Sequence, residues 1–160
     1  MSVATLVGTV IIGKNVMSIL SSAGTDFIIT TVTTTTNSII GLLKHITAID
    51  QPRVREITES LNKIDLEYNI QVIEQLVIEQ KEKQLPLSLK MALFGVNEIL
   101  EKIHLELKII KDAIDYHSTK YFSKWRSFDC SLNIEFIKSN KLLLDNRYEK
   151  LMDFLTLHKN

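Results

Sequence analysis

The clearest pattern in the chain is a run of apolar positions that alternate by four and three residues. The run comprises Leu89, Leu93, Val96, Leu100, Ile103, Leu107, Ile110, Ile114, His117 and Tyr121. This spacing places every member on one side of an α-helix and is typical of a heptad seam. We therefore predict a long helix that begins near Pro86 and continues to Arg126.

Two further stretches with helical spacing flank this run. One extends from Arg53 to about Glu82, and the other follows a connection at residues 127–131 and carries Ile134, Ile137, Lys141, Leu144, Tyr148, Leu151 and Leu155. Pro52 and Pro86 mark helix starts, because proline is tolerated in a first helical turn but not in a helix interior. Since short connections make long helices antiparallel neighbours, residues 51–160 are predicted to form a three-helix antiparallel bundle.

The first fifty residues differ sharply in composition. Their only charged residues are Lys14, Asp26, Lys44 and Asp50, and Val, Ile, Thr, Ser and Gly are abundant. Apolar positions again have helical spacing on both sides of a turn at residues 21–25, although Val, Ile and Thr also favour strands. We predict an apolar helical arm over residues 1–50. The fold class is therefore all-α: a bundle of long antiparallel heptad-patterned helices with an apolar N-terminal helical arm.

Charge and composition narrow the class of protein. The 160-residue chain is 45% hydrophobic and 24% charged, as expected of a folded domain, and its formal net charge is zero. A neutral chain disfavours general nucleic-acid binding, which depends on phosphate neutralisation. The single cysteine, Cys130, excludes an intramolecular disulfide and favours a reducing, intracellular compartment. No secretory leader is expected. The Ile- and Lys-rich composition fits an AT-rich genome, such as that of a giant DNA virus, of some protists or of some low-GC bacteria.

Catalytic and metal-binding motifs are not evident. Glu101 and His104 form an E-x-x-H, but di-iron bundles need that motif twice, and the chain has no second copy. We expect both residues to face solvent. The chain has no H-E-x-x-H, G-x-S-x-G or glycine-rich phosphate loop, and His117 lies too far from Cys130 in the sequence for a local catalytic pair to be argued. We predict no enzymatic activity, no catalytic residue, no metal and no cofactor.

The candidate interaction residues fall in two groups. Trp, Tyr and Arg dominate interface hot spots, so the cluster after His117 is one candidate, with a bundle end closed by aromatic residues as the alternative. The apolar arm is the other candidate, because an uncovered apolar patch marks an interaction site. The predicted residues are Val3, Val7, Val10, Ile28, Val32, Ile39 and Leu42 in the arm, and Tyr121, Trp125 and Arg126 after the seam.

The function predicted from these features is that of a structural or scaffold/interaction subunit. Its partners would be proteins or further copies of itself, and a minor component of a viral particle would fit. The alternative is a membrane-active protein that inserts residues 1–50, as a pore-former or anchor. The uncharged stretch from Phe27 to Leu43 contains six threonines, however, and is slightly short for the hydrocarbon core.

Overall fold

The structure, a computed structural model, describes residue 22, residues 24–120 and residues 128–158. This part of the chain contains five long helices and no strand. The helices are α1 (Thr25–Thr47), α2 (Pro52–Lys63), α3 (Leu66–Ile78), α4 (Leu87–Ser118) and α5 (Ser131–Leu157). The prediction of an all-α bundle is confirmed.

The seam predicted from Leu89 onward lies at the centre of the core. Helix α4 packs against α1 on one side and α5 on the other, and every seam residue from Leu89 to His117 is buried. Tyr121 lies outside the described residues. Removing this continuous apolar stripe from water is the main contribution of α4 to the stability of the bundle.

Two side-chain contacts set the alignment of α4 and α5. Near the start of α5, Asn133 Nδ2 donates a hydrogen bond to Glu106 Oε2 at 2.8 Å. Fourteen residues later, the Arg147 guanidinium donates to the Gly95 carbonyl and lies 2.8 Å from Glu98 Oε2. Residue numbers thus rise along α5 while they fall along α4. Gly95 makes room for the guanidinium, because a Cβ there would come within 3.3 Å of Arg147 Nη1.

The prediction of one helix from Arg53 to about Glu82 is wrong. The chain breaks between α2 and α3 at Asp65, whose φ of 52° and ψ of 39° lie in the left-handed region. An α-helix cannot continue through that conformation, and aspartate is one of the few residues besides glycine that adopts it. The described part of residues 51–160 therefore holds four helices rather than three.

Helix α4 also ends earlier than predicted. Its last residue is Ser118, whereas the sequence pattern suggested Arg126. The hydroxyl groups of Ser118 and Thr119 donate to the carbonyls of Asp115 and Tyr116, at 2.7 and 2.8 Å. The Asp115 carbonyl also accepts the backbone N–H of Thr119 at 3.3 Å, whereas the Tyr116 carbonyl is one that the next helical turn would otherwise have to satisfy.

Helix α1, the second half of the predicted arm, packs in the same core as the other helices. Its apolar residues share one buried cluster with α3 and α4, and Thr35 and Thr36 are buried among them. The Thr35 hydroxyl donates to the Thr31 carbonyl at 3.0 Å, and the Thr36 hydroxyl donates to the Thr33 carbonyl at 2.9 Å. Threonines in a buried helix are thus satisfied by their own backbone. The domain boundary at residues 50 and 51 stays a prediction.

Candidate interaction surface

The predicted interaction residues do not form one surface in the described structure. Six of them lie outside the described residues: Val3, Val7, Val10, Tyr121, Trp125 and Arg126. Ile28, Val32 and Ile39 are buried in the chain's own core, and Leu42 is half-buried against it. Contact with a partner through the three buried residues would require α1 to leave the core.

Helix α4 exposes a second apolar stripe on the side opposite its seam. Leu105 is 56% exposed and Ile109 is 43% exposed, and Tyr116 is exposed seven residues further on. At 3.6 residues per turn, these three side chains fall on one side of the helix, about half a turn from buried Ile103 and Leu107. Helix α4 is therefore apolar on two faces, of which the described residues cover only one.

Helix α5 repeats the arrangement. Leu132 is 67% exposed, Phe136 is 48% exposed, and Leu143 continues the same stripe at a spacing of seven residues. The buried residues Ile137 and Leu144 point toward the core from another side of the helix. Helix α5 therefore also leaves an apolar stripe without a covering element among the described residues.

The two stripes meet on the outside of the bundle. The contacts of Asn133 with Glu106 and of Arg147 with Gly95 bring Leu105 level with Phe136, and Ile109 level with Leu132. Since the helices run in opposite directions at these contacts, both stripes face the same side, away from the core. We call Leu105, Ile109, Leu132 and Phe136 the outer patch. A contiguous exposed patch of large apolar side chains is a candidate interaction site.

The outer patch was not predicted from the sequence, although its signal is present there. A second set of positions on α4, with Leu105, Ile109, Asp112 and Tyr116, also alternates by four and three. On α5, Leu132, Phe136, Ser139 and Leu143 do the same. Polar residues interrupt both sets, so the signal of each set is weaker than that of the buried seam. The four-three spacing of both sets can nevertheless be recognised in the sequence.

The E-x-x-H residues are less exposed than predicted. Glu101 and His104 are both half-buried. Burial lowers the pKa of His104, and Lys108 lowers it further, while Glu101 opposes the change. In the part of the chain that the structure describes, no three histidine, cysteine or acidic residues lie close enough together to hold a metal ion.

Cys130 and His117 lie at the end of the bundle where α5 begins. Cys130 is buried, and burial raises the pKa of its thiol, with the Asp129 carboxylate acting in the same direction. A protonated thiol is a weak nucleophile. The buried His117 ring packs against Phe128 with ring centroids 4.9 Å apart, which links the end of α4 to the segment before α5.

A cleft of about 560 Å³ lies beside Cys130, between α2 and the start of α5. Its walls carry both signs of charge, with Arg53 and Lys138 beside Glu56 and Glu135. Arg53 also donates a long hydrogen bond, at 3.4 Å, to the Phe128 carbonyl. Because side chains of both charges line the cleft, it favours no particular class of ligand. The outer patch is therefore a stronger candidate site than the cleft.

Comparison with known proteins yields one informative similarity. The chain is 31% identical over 64 residues to a protein of Acanthamoeba polyphaga mimivirus described as "Uncharacterized protein L717". The match covers 40% of this chain and spans 31% of the length of that relative. No family model matches the chain, and no solved structure matches it. The chain thus resembles part of a giant-virus protein, and that resemblance carries no function.

A helix that crosses a bilayer must be both long and predominantly apolar. None of the helices in residues 24–120 and 128–158 is both long enough and apolar enough to do so. Helix α1 has only two charged residues, Asp26 and Lys44, but its many threonines lower its mean hydropathy.

Proposed function

We propose that the chain is a non-enzymatic structural or interaction subunit that binds a protein through the outer patch. The observation that supports this proposal is the exposure of Leu105, Ile109, Leu132 and Phe136 on one side of two adjacent helices. Both helices already bury a full apolar face in the core. Covering the second face with another protein would remove its large side chains from water, a favourable change of roughly 25 cal/mol per Å².

The assembly that contains this subunit is proposed to be a viral particle or another large complex. The similarity to a mimivirus protein supports a viral setting. The formal net charge of zero also permits close packing with neighbouring subunits, because the chain carries no excess charge that would repel them.

The proposal is tested with the full chain carrying both Leu105→Glu and Phe136→Glu. Because both side chains are about half exposed, the double variant should keep its helical circular dichroism spectrum and fold cooperatively. In extracts of the cells that make the chain, size fractionation should place the wild type in a large complex and the double variant in the fraction of free chains.

Leu142→Glu is the matched control, because Leu142 is 68% exposed on α5 but lies off the outer patch. This variant should fractionate with the wild type. The proposal fails if the folded double variant stays in the large complex, or if the wild type itself runs as a free chain.

The membrane-active alternative rests on the sequence of residues 1–21, whose only charged side chain is Lys14. Helix α1, which continues the predicted arm, is already packed in the core. Flotation of the full chain with liposomes tests this alternative directly. A chain that floats with the lipid supports it, and a chain that stays at the bottom of the gradient contradicts it.

A further inference from the structure

We infer that the outer patch binds a second copy of this chain, so that the α4 and α5 helices of two copies pack face to face as a four-helix bundle around a two-fold axis. This inference rests on the proposed function, since it names the protein that covers the patch. Two-fold dimers are the commonest soluble oligomers, and they require a surface that is complementary to itself.

The spacing of the patch residues meets that requirement. Consider a two-fold axis that lies in the plane of the interface, at right angles to the helices, and passes over α4 midway between Leu105 and Ile109. This axis places Leu105 opposite Ile109 of the second copy. The alignment of the two helices makes Ile109 level with Leu132, and Leu105 level with Phe136. The same axis therefore crosses α5 between Leu132 and Phe136 and brings those two side chains together as well. Apolar residues face apolar residues on both helices without any adjustment of register.

The charges around the patch fit the same axis. Lys102 and Asp112 are both exposed, and each lies five residues from the midpoint of Leu105 and Ile109. The two-fold axis therefore places Lys102 of each copy opposite Asp112 of the other copy. Opposite charges at the rim of an interface favour one register and disfavour wrong ones.

The size of this surface predicts a dimer of moderate affinity. The stretch from Glu98 to Tyr116 is about 27 Å long at 1.5 Å per residue. With α5 beside it at the usual 8–10 Å between helix axes, the shared face is roughly 20 Å wide. The buried area would be about 1,000 Å² in total, at the lower end for specific interfaces, so we expect a dissociation constant in the micromolar range.

Sedimentation velocity of the full chain across the micromolar range provides the test. The wild type and Leu142→Glu should dimerise, and Leu105→Glu should remain a monomer. Lys102→Asp places two acidic groups opposite each other at both ends of the interface, and Asp112→Lys places two basic groups there. Since each reversal replaces two exposed ion pairs with two like-charge pairs, either single reversal should weaken the dimer about tenfold.

The double variant, Lys102→Asp with Asp112→Lys, restores opposite charges across the axis and should dimerise about as well as the wild type. Residues 102 and 112 are ten positions apart on one helix, so the rescue cannot arise within one copy. A dimer that is insensitive to Leu105→Glu, or a double variant that is not rescued, overturns the inference. A wild type that stays monomeric also overturns it, while the extract fractionation separately decides whether the patch binds a different protein.

Discussion

Replacing Asn97 with leucine should stabilise the bundle. Asn97 lies on α4, is only 3% exposed, and donates from Nδ2 to Glu101 Oε1 at 3.2 Å. Its Oδ1 atom is buried and accepts no hydrogen bond from the described residues. A buried acceptor in that state costs about 1–3 kcal/mol of folding free energy.

The expected gain follows from what leucine changes. Leucine has nearly the shape of asparagine, so Asn97→Leu removes the unpaired oxygen and adds apolar burial without requiring much repacking. The bond to Glu101 is lost, but Glu101 is half-buried and can be solvated instead. We expect the free energy of unfolding to rise by about 1–2 kcal/mol, and the melting temperature by about 2–8 °C.

Urea unfolding followed by circular dichroism measures this change. Asn37→Leu is the control, because Asn37 lies on the exposed side of α1, and its substitution should change the free energy by less than about 0.5 kcal/mol. If Asn97→Leu lowers the free energy of unfolding, or changes it no more than the control does, the Asn97 oxygen is not an unpaired buried acceptor and the reasoning fails.

Three further predictions concern the backbone at Asp65, the thiol of Cys130 and the dependence of stability on pH through Asp115. Asp65→Gly should raise the free energy of unfolding by about 0.5–1 kcal/mol in thermal unfolding, because glycine adopts the left-handed conformation without steric cost; a decrease would contradict this. Cys130 should react with a disulfide reagent at least about tenfold more slowly in the folded chain than in denaturant, and equal rates would refute its burial. The hydrogen bond that Lys111 donates to the Asp115 carboxylate lowers the pKa of that carboxyl group, and the hydrogen bond from His45 lowers it further. The ionised carboxylate therefore stabilises the fold above the ordinary carboxyl pKa, and this stabilisation is lost as pH falls through the lowered value. Asp115→Asn should therefore unfold more easily than the wild type at neutral pH and match it in strong acid, and a difference that persists in acid would argue against this linkage.

The central helix was predictable because its signal is redundant. Leu89, Leu100, Ile110 and the other seam residues repeat one spacing along the whole of α4, and each of those described is buried. A single exception would not have changed the prediction. The break at Asp65 was not predictable in that way, because one residue in a left-handed conformation leaves the apolar periodicity on both sides intact.

The role of α1 shows a different limit. The sequence between Phe27 and Leu43 carries no charge, and this property is compatible with burial in the chain's own core as well as with contact to a partner or lipid. Only the contacts of α1 with α3 and α4 show that its apolar side faces inward. Conversely, Leu105 and Phe136 lie far apart in the sequence, where each looks like an isolated exposed apolar residue. Only the alignment of α4 and α5 shows that the two side chains lie next to each other.

Site-specific photo-crosslinking tests most directly whether the outer patch is a protein-binding surface. A photoreactive phenylalanine analogue is placed at Phe136 in the full chain, or at Leu142 as the off-patch control, in cells that make the chain. We predict one defined protein adduct from position 136, its loss when Leu105→Glu is added, and no adduct from position 142. The absence of an adduct at position 136, or equal adducts at both positions, would contradict the account.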